Sequence, residues 1–505
     1  MRSKKTIINT IFSILCDLVA IICSFILPRL ILSRFGSAYN GLATSISQFL
    51  TCAVLLRSGI GGATKAALYK PLAENNKDEV DSIVKATDIY MKKIGLILGT
   101  LIIFFATIYP FFVHYEFGWF FTFSLFLIIG ISTFAESFLG ITYLIVLQAD
   151  QRLYVSSIVR IISYIVNIIL AVVLIYCGFG IHIVKFGSAV AFTIYPVALN
   201  IYVKKRYKIN KNVKPNNKAI AQRWDAFWHQ AAWFITSNTD VIVLTIFTNM
   251  LEVSVYSIYY LVVQGLNRFI TAFTQGIDAA FGNMIAKNEK ETLRKNLSIV
   301  ELIVYSMATV LFSSAIILIL QFVTIYTKGV TDVDYLRPMF AYILLTAQFF
   351  GAIRLPYHLM VLAAGHFKQT KKYSIIEAFL NVGISVILVI KYGLIGVAIG
   401  TLVSLVYKTV TFSNYVSDNI VQRSKLIPLK KCMISFIEFF IIFGTYKLIN
   451  LPEKVSYTNW FINSLLVVFI SMLVIFIGIL LFYREDFKRL IMKLKNIKRR
   501  KSEEA

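Results

Sequence analysis

Charge is scarce in this chain. Asp, Glu, Lys and Arg make up 15% of its 505 residues, against 58% for the hydrophobic types, and the mean hydropathy is +0.73. Soluble domains carry about 25% charged residues. The shortage excludes a water-soluble globular protein, and the apolar excess excludes a disordered one. A polytopic membrane protein remains. Cysteine is also sparse. Of Cys16, Cys23, Cys52, Cys177 and Cys432, four lie in apolar runs and none pair at metal-ligand spacing, which excludes a disulfide framework and a metal finger. No G-x-x-x-x-G-K-[ST] occurs, so a P-loop ATPase is excluded. His114, His182, His358 and His366 are scattered. The lone Asp332-Val-Asp334 reads as a solvated turn, and no large loop separates the apolar runs. Enzyme, cofactor and metal chemistry are therefore not expected.

Fourteen apolar runs are present. Their limits are 6–32, 39–64, 88–110, 119–148, 154–177, 180–203, 222–248, 253–285, 297–326, 335–364, 371–391, 393–415, 430–450 and 457–483. The second, seventh and eighth are polar for spanning helices. Placing the amino terminus in the cytoplasm puts 38 of the 51 Lys and Arg in inside segments and about five in outside loops. The alternation holds at every crossing, as the positive-inside rule requires. Both ends are then cytoplasmic, and the net charge of +25 reflects topology and anionic lipid headgroups rather than nucleic-acid binding. The run 6–32 is too long for a signal-peptide core and no A-x-A-like site follows it, so it reads as an uncleaved first helix.

The sequence repeats itself. A shift of 217 brings Tyr39 onto Tyr256 and Gly59-Ile60 onto Gly276-Ile277. Near 215, Leu147-Gln148-Ala149 meets Leu362-Ala363-Ala364 and Gly178 meets Gly393, while Asn167 meets Asn381 at 214. The expected organisation is a six-helix lobe (1–203), a basic linker (204–218), a second six-helix lobe (219–415), helices 13 and 14 (416–483) and a basic tail (484–505). Parallel repeats of this kind place a site between the lobes near the midplane.

Two repeat-related helices carry polar stripes at helical spacing. One runs Asn40, Thr44, Ser47, Thr51, Ser58, Gly61, Lys65; the other runs Gln264, Arg268, Thr271, Gln275, Asp278. Ser, Thr and Gly also serve as interhelical glue, but an ionised side chain in lipid needs a partner or water. The candidate cavity residues are therefore Arg57, Lys65, Gln264, Arg268, Gln275, Asp278 and Arg354. Asp17 and Asp240 are candidates for ion coupling or charge balance. Arg29, Lys185, Arg337 and Lys408 sit near span ends, where snorkelling is expected. Arginines in a cavity suit a phosphate-bearing substrate.

Four short motifs carry a resemblance. Phe35-Gly36-x-x-Tyr39-Asn40-Gly41-Leu42, Leu56-x-Ser58-Gly59-Ile60-Gly61, Val146-Leu147-Gln148-Ala149 followed by Arg152, and Asn238-Thr239-Asp240 before Val255-Tyr256-Ser257 resemble, in this order, the Wzx-like oligosaccharide flippases. These belong to the MOP superfamily with the lipid II flippases and the MATE multidrug exporters. The resemblance implies a MATE-like fold and a bacterial plasma-membrane flippase. Its substrate would be an undecaprenyl-pyrophosphate-linked repeat unit for capsule, O-antigen or exopolysaccharide, moved by alternating access. Membrane lipids and other polysaccharide-assembly proteins would be its partners. Lipid II flippases place cationic residues on helices 1, 2 and 8, which here hold Arg29, Arg57 and Arg268. Asp278 departs from the small or neutral residue many relatives have. The alternative within the fold is an ion-coupled MATE-type drug exporter, which would favour an acidic cavity. The sequence leaves the oligomeric state open, a monomer being compatible with it.

Overall fold

The computed structural model describes residues 2–54, 60–113, 116–210, 212–216, 238–274, 277–449 and 456–503. The regular structure among them is helical. The helices of the first half are α1 (Arg2–Phe35), α2 (Ser37–Val54), α3 (Ile60–Ala73), α4 (Lys77–Ile108), α5 (Trp119–Ala135), α6 (Ile141–Ala149), α7 (Leu153–Tyr176) and α8 (Ile181–Tyr207). Next come α9 (Asn238–Phe247), α10 (Met250–Thr274), α11 (Ile277–Ala286), α12 (Lys290–Tyr326), α13 (Pro338–Ile353), α14 (Leu355–Ala363), α15 (Phe367–Tyr392) and α16 (Leu394–Tyr415). The chain closes with α17 (Leu426–Leu448), α18 (Tyr457–Phe482) and α19 (Arg484–Glu503).

Among the described residues, 10 helical stretches are long and apolar enough to cross a membrane. They match ten of the fourteen expected runs; of the other four, two fall partly or largely outside the described residues and two are polar. The second run is split between α2 and α3, with 55–59 outside the described residues. The seventh falls largely on 217–237, also outside them. The eighth is the polar α10 with α11. The thirteenth is α17, 23 residues long but carrying Lys430, Lys431, Glu438 and Lys447. The chain is an all-α, multi-pass membrane protein.

Burial is inverted relative to a soluble protein. On α15 the buried residues are Thr370, Glu377, Asn381, Ser385 and Val389, while Phe379 is 75% and Ile390 74% exposed. Apolar side chains lose nothing by facing lipid; backbone and polar groups must find partners inside. The inner faces of α15 and α16 meet at small residues, as membrane helix contacts do. A Cβ on Gly400 would lie 2.2 Å from Ser385 Oγ. Asn381 Nδ2 donates to Thr401 Oγ1 at 3.1 Å.

Two compact units emerge. One comprises Met1–Ser257 with Gly329–Val333; the other comprises Ile258–Lys328 with Asp334–Ala505. By packing, α9 and the start of α10 group with the first unit.

The backbone records the repeat at the turns. Left-handed residues recur in pairs: Asn75 and Asn288 (φ 55 and 55), Gln151 and Gly365 (56 and 68), Gly178 and Gly393 (83 and 53), Lys208 and Gln422 (47 and 52). Each pair is 213 to 215 residues apart. Left-handed φ is costly for residues with a Cβ, so its recurrence at one offset marks the same turn built twice. The shift that aligned Gly178 with Gly393 thus aligns two positive-φ turns between helices.

The motif around Phe35 has a structural meaning inside the first unit. Gly36 turns the chain at φ +91, which separates α1 from α2. Asn40 Nδ2 donates to Ser254 Oγ at 2.9 Å and to Ser257 Oγ at 3.1 Å. Ser45 and Thr245 hydroxyls lie 2.6 Å apart, and Gln48 bonds Asn238. A Cβ on Gly41 would stand 1.8 Å from the Met250 carbonyl oxygen. Only glycine lets the two backbones come this close.

Candidate substrate-binding site

Of the residues singled out in sequence, Arg57 and Gln275 lie outside the described residues. The others divide between the units. In the first unit Asp17 lies exposed on α1, Lys65 half-buried on α3 and Asp240 buried on α9. The Tyr256 hydroxyl donates to Asp240 Oδ2 at 2.9 Å. Asp240 is thus tied to α10 within helix packing.

In the second unit Gln264, Arg268 and Thr271 line one exposed face of α10, and Asp278 is exposed on α11. The stripe read from the sequence is thus an unpacked face. The Thr271 hydroxyl is turned inward onto the Asn267 carbonyl at 2.9 Å. Arg268 extends from that face.

Arg354 goes elsewhere. It sits at the break between α13 and α14, and its Nη1 lies 2.8 Å from Glu377 Oε1. Lys408 of α16 bonds the other oxygen of the same carboxylate. Glu377 is 1% exposed. Lys408 is buried as well, so it does not snorkel; the buried carboxylate holds it. Arg354 is committed to an ion cluster in which two cations share one buried carboxylate.

A second cluster of this form was not anticipated. Glu301 of α12, wholly buried, is clamped by Arg423, with one contact at 3.0 Å, and by Lys431 at 2.9 Å. Lys431 also donates to the Ser298 hydroxyl at 3.2 Å, which donates on to Asp486 at 2.5 Å. The cluster ties α12, α17 and the start of α19 together. A net count of charges could have found both clusters, since each carboxylate lies in an apolar run that also needs a cation.

Each unit contains a cavity. The one in the first unit encloses about 360 Å³ and is lined by Ser47, Thr51, Ser132, Thr133, Lys185 and Ser188, with Leu27, Leu50, Ile129 and Phe192. Lys185 is thereby a cavity residue rather than a snorkelling one. Ser47 and Thr51 come from the predicted α2 stripe. Ser132, Thr133 and Ser188 were missed because isolated hydroxyls in apolar helices resemble interhelical glue. Ser47 and Ser188 donate to the carbonyls of their own helices, which leaves their lone pairs toward the cavity. No carboxylate is among the described lining residues.

The cavity of the second unit has a volume of about 330 Å³ and is mainly aromatic, with Thr309, Ser313, Thr346 and Ser435 also in its lining. Phe312, Phe349, Phe436, Phe439, Phe440 and Phe443 form it between α12, α13 and α17.

No protein-family model and no curated protein sequence matches the chain. Solved structures do match. A structure of the lipid II flippase MurJ in an inward closed conformation covers 94% of this chain and 99% of its own, with TM-score 0.72 and 18% identity. A multidrug resistance MATE family transporter of the MOP superfamily, in an inward-facing conformation, covers 81% and 98% with TM-score 0.66 and 14% identity. The eukaryotic MATE transporter AtDTX14 covers 86% and 98% with TM-score 0.60 and 12% identity. The fold is shared with these MurJ and MATE structures. At these identities the likeness is one of architecture, and it accommodates both flippases and drug exporters.

Proposed function

We propose that the chain is a flippase of the bacterial plasma membrane that moves a polyprenyl-pyrophosphate-linked oligosaccharide to the outer leaflet by alternating access. Wzx-like flippases are the relatives its motifs resemble. Its two six-helix lobes, 1–203 and 219–415, would be the moving parts, with both termini cytoplasmic.

The observation that carries the reading is the polar cavity of the first unit, with the Lys185 ammonium, five hydroxyl side chains and no acidic residue among the described lining residues. A cation in a low-dielectric pocket attracts a phosphate, and hydroxyls suit a sugar. Arg268, exposed on α10, supports the same polarity, and Lys65 and Arg57 would extend it. Gln264, Gln275 and Asp278 would meet sugar hydroxyls, and Asp17 and Asp240 would balance charge or carry a coupling ion. The aromatic cavity of α12, α13 and α17 offers an apolar surface for the prenyl tail. The MATE likeness also permits a drug exporter, but a cationic drug would be repelled by Lys185 and find no carboxylate beside it.

The test is depletion of the protein followed by mass spectrometry of extracted lipids. The expected result is accumulation of a complete lipid-linked repeat unit with loss of surface polysaccharide, reproduced by Lys185→Ala and relieved by Lys185→Arg. An unchanged intermediate pool, with cationic dyes now retained by the cells, would favour drug export instead.

A further inference from the structure

We infer that two carboxylates, Asp332 and Glu116, form a crossed pair of latches that hold the outer face of the transporter shut. The inference rests on the topology proposed above, which places the starts of α2 and α10 outside. All four residues involved belong to the first compact unit.

The first four amides of a helix have no partner within it, and the helix dipole favours an anion there. At α2 the first amide, Ser37 N, donates to Asp332 Oδ2 at 2.6 Å, and the Ser37 hydroxyl donates to Asp332 Oδ1 at 2.6 Å. At α10 the first amide, Met250 N, donates to Glu116 Oε1 at 3.2 Å and Oε2 at 3.4 Å. Asp332 lies on the short loop between α12 and α13; Glu116 lies on the loop between α4 and α5. The acids are 216 residues apart and the amides 213 apart, close to the 213–215 spacing of the paired turns. The two contacts are therefore repeat-related.

They also cross. The acid of the second repeat caps the helix of the first, and the acid of the first repeat caps the helix of the second. A cap from the same repeat would travel with its helix. A cap from the other repeat must break when the repeats part. The same helix ends meet at Gly41 and Met250 and through the Asn40 bonds, so the latches clasp a seam that is already closed. Both acids are exposed, so each bond can exchange with water. This is what a reversible contact needs. The two differ in grip: Asp332 makes two short bonds to a buried serine, and Gly36 leaves room for it, since a Cβ there would sit 2.9 Å from Oδ2. The Asp-Val-Asp segment is thus a clasp, with Asp334 bonding Leu336 N at 2.9 Å.

The test uses the full chain in lipid nanodiscs, with its native cysteines replaced and spin labels at Ala38→Cys and Leu251→Cys, near the two capped ends. Distances are read by double electron–electron resonance. Asp332→Ala should raise the long-distance population about three- to tenfold, the effect of a helix-terminal carboxylate of roughly 0.7–1.4 kcal/mol. Glu116→Ala should raise it less, and the double variant most. Asp332→Asn, which keeps an acceptor and the side-chain shape, should fall between and covers the case in which the alanine variant misfolds. Unchanged distributions in Asp332→Asn and Glu116→Ala, each folded, would reduce both contacts to ordinary helix caps and overturn the inference. An impermeant maleimide added to intact cells checks the topology: labelling of position 38 only after permeabilisation overturns the outer latch. If the distances shift but no lipid-linked sugar is moved, the latch stands and the substrate reading fails.

Discussion

The two repeats share their turns but not their buried charges. On the helices that carry Arg354, Glu377 and Lys408 in the second repeat, the first repeat has Glu136, Arg160 and Tyr195. There the acid–base order along the chain is reversed and the grip is loose. Arg160 Nη2 stands 3.7 Å from Glu136 Oε1, with side chains 40% and 30% exposed, and the guanidinium stacks 4.5 Å over the Tyr195 ring. The second repeat instead seals a 1% exposed carboxylate between two cations. Ion pairs at a wet surface contribute little, whereas breaking a buried one leaves an uncompensated charge. The duplicated fold specifies where helices turn; each copy was free to decide how rigid its interior is.

The largest expected effect sharpens this contrast. Glu377→Gln should destabilise the protein by about 3–5 kcal/mol, because Arg354 and Lys408 lose their shared counter-charge, while Glu136→Gln should lose less, because its contact with Arg160 is long and half-exposed. Thermal unfolding in detergent, followed by tryptophan fluorescence, measures both. Equal losses would break the comparison.

Next is the close approach of α2 and α10. Gly41→Ala should lower folded yield severely, since its Cβ has no space beside Met250, whereas Gly265, which has nothing within 4 Å of its Cβ, should accept alanine with a gain of up to about 1 kcal/mol. Size-exclusion profiles of the two variants decide it. If Gly41→Ala behaves like Gly265→Ala, the backbone contact is not what holds the seam.

A smaller effect separates two equivalent helix starts. Asn76 caps α4 by accepting from Glu79 N at 3.3 Å, whereas its counterpart Glu289 makes no such bond to α12. Asn76→Ala should cost about 1 kcal/mol and Glu289→Ala close to nothing, by the same melting measurement.

The smallest concerns the paired turns. Gly365→Ala should cost roughly 1 kcal/mol, since its φ is left-handed. Gln151→Gly, at the matching turn, should be nearly neutral, because relief of strain offsets added chain freedom. Deuterium exchange at the two turns reports the difference.

How much of this could be read in advance follows from what each feature depends on. Ten spans were readable because apolar length is a local property. α17 was also read as a span, yet its charges keep it below the apolar threshold, and the partners of Lys431 and Arg423 on α12 lie more than a hundred residues away. The α10 stripe was readable as one polar face because helical spacing alone places Gln264, Arg268 and Thr271 together. Arg354 could not be told from Arg268 by sequence: both are arginines in polar-tolerant helices, and only packing shows one exposed and the other clamped on Glu377. Lys185 was read as a span-end lysine, because its cavity is assembled from α1, α2, α5 and α8.

The sequence by itself determined the membrane class, most of the helix limits and the duplication, since hydropathy, turn residues and internal spacing all act over short stretches. Only the tertiary structure decided which charges are buried in pairs, which hydroxyls share a cavity with Lys185, and which acids reach the helix starts of the other repeat. Those outcomes depend on distances between segments far apart in the chain, and a charge buried in a membrane protein persists only where packing delivers its partner.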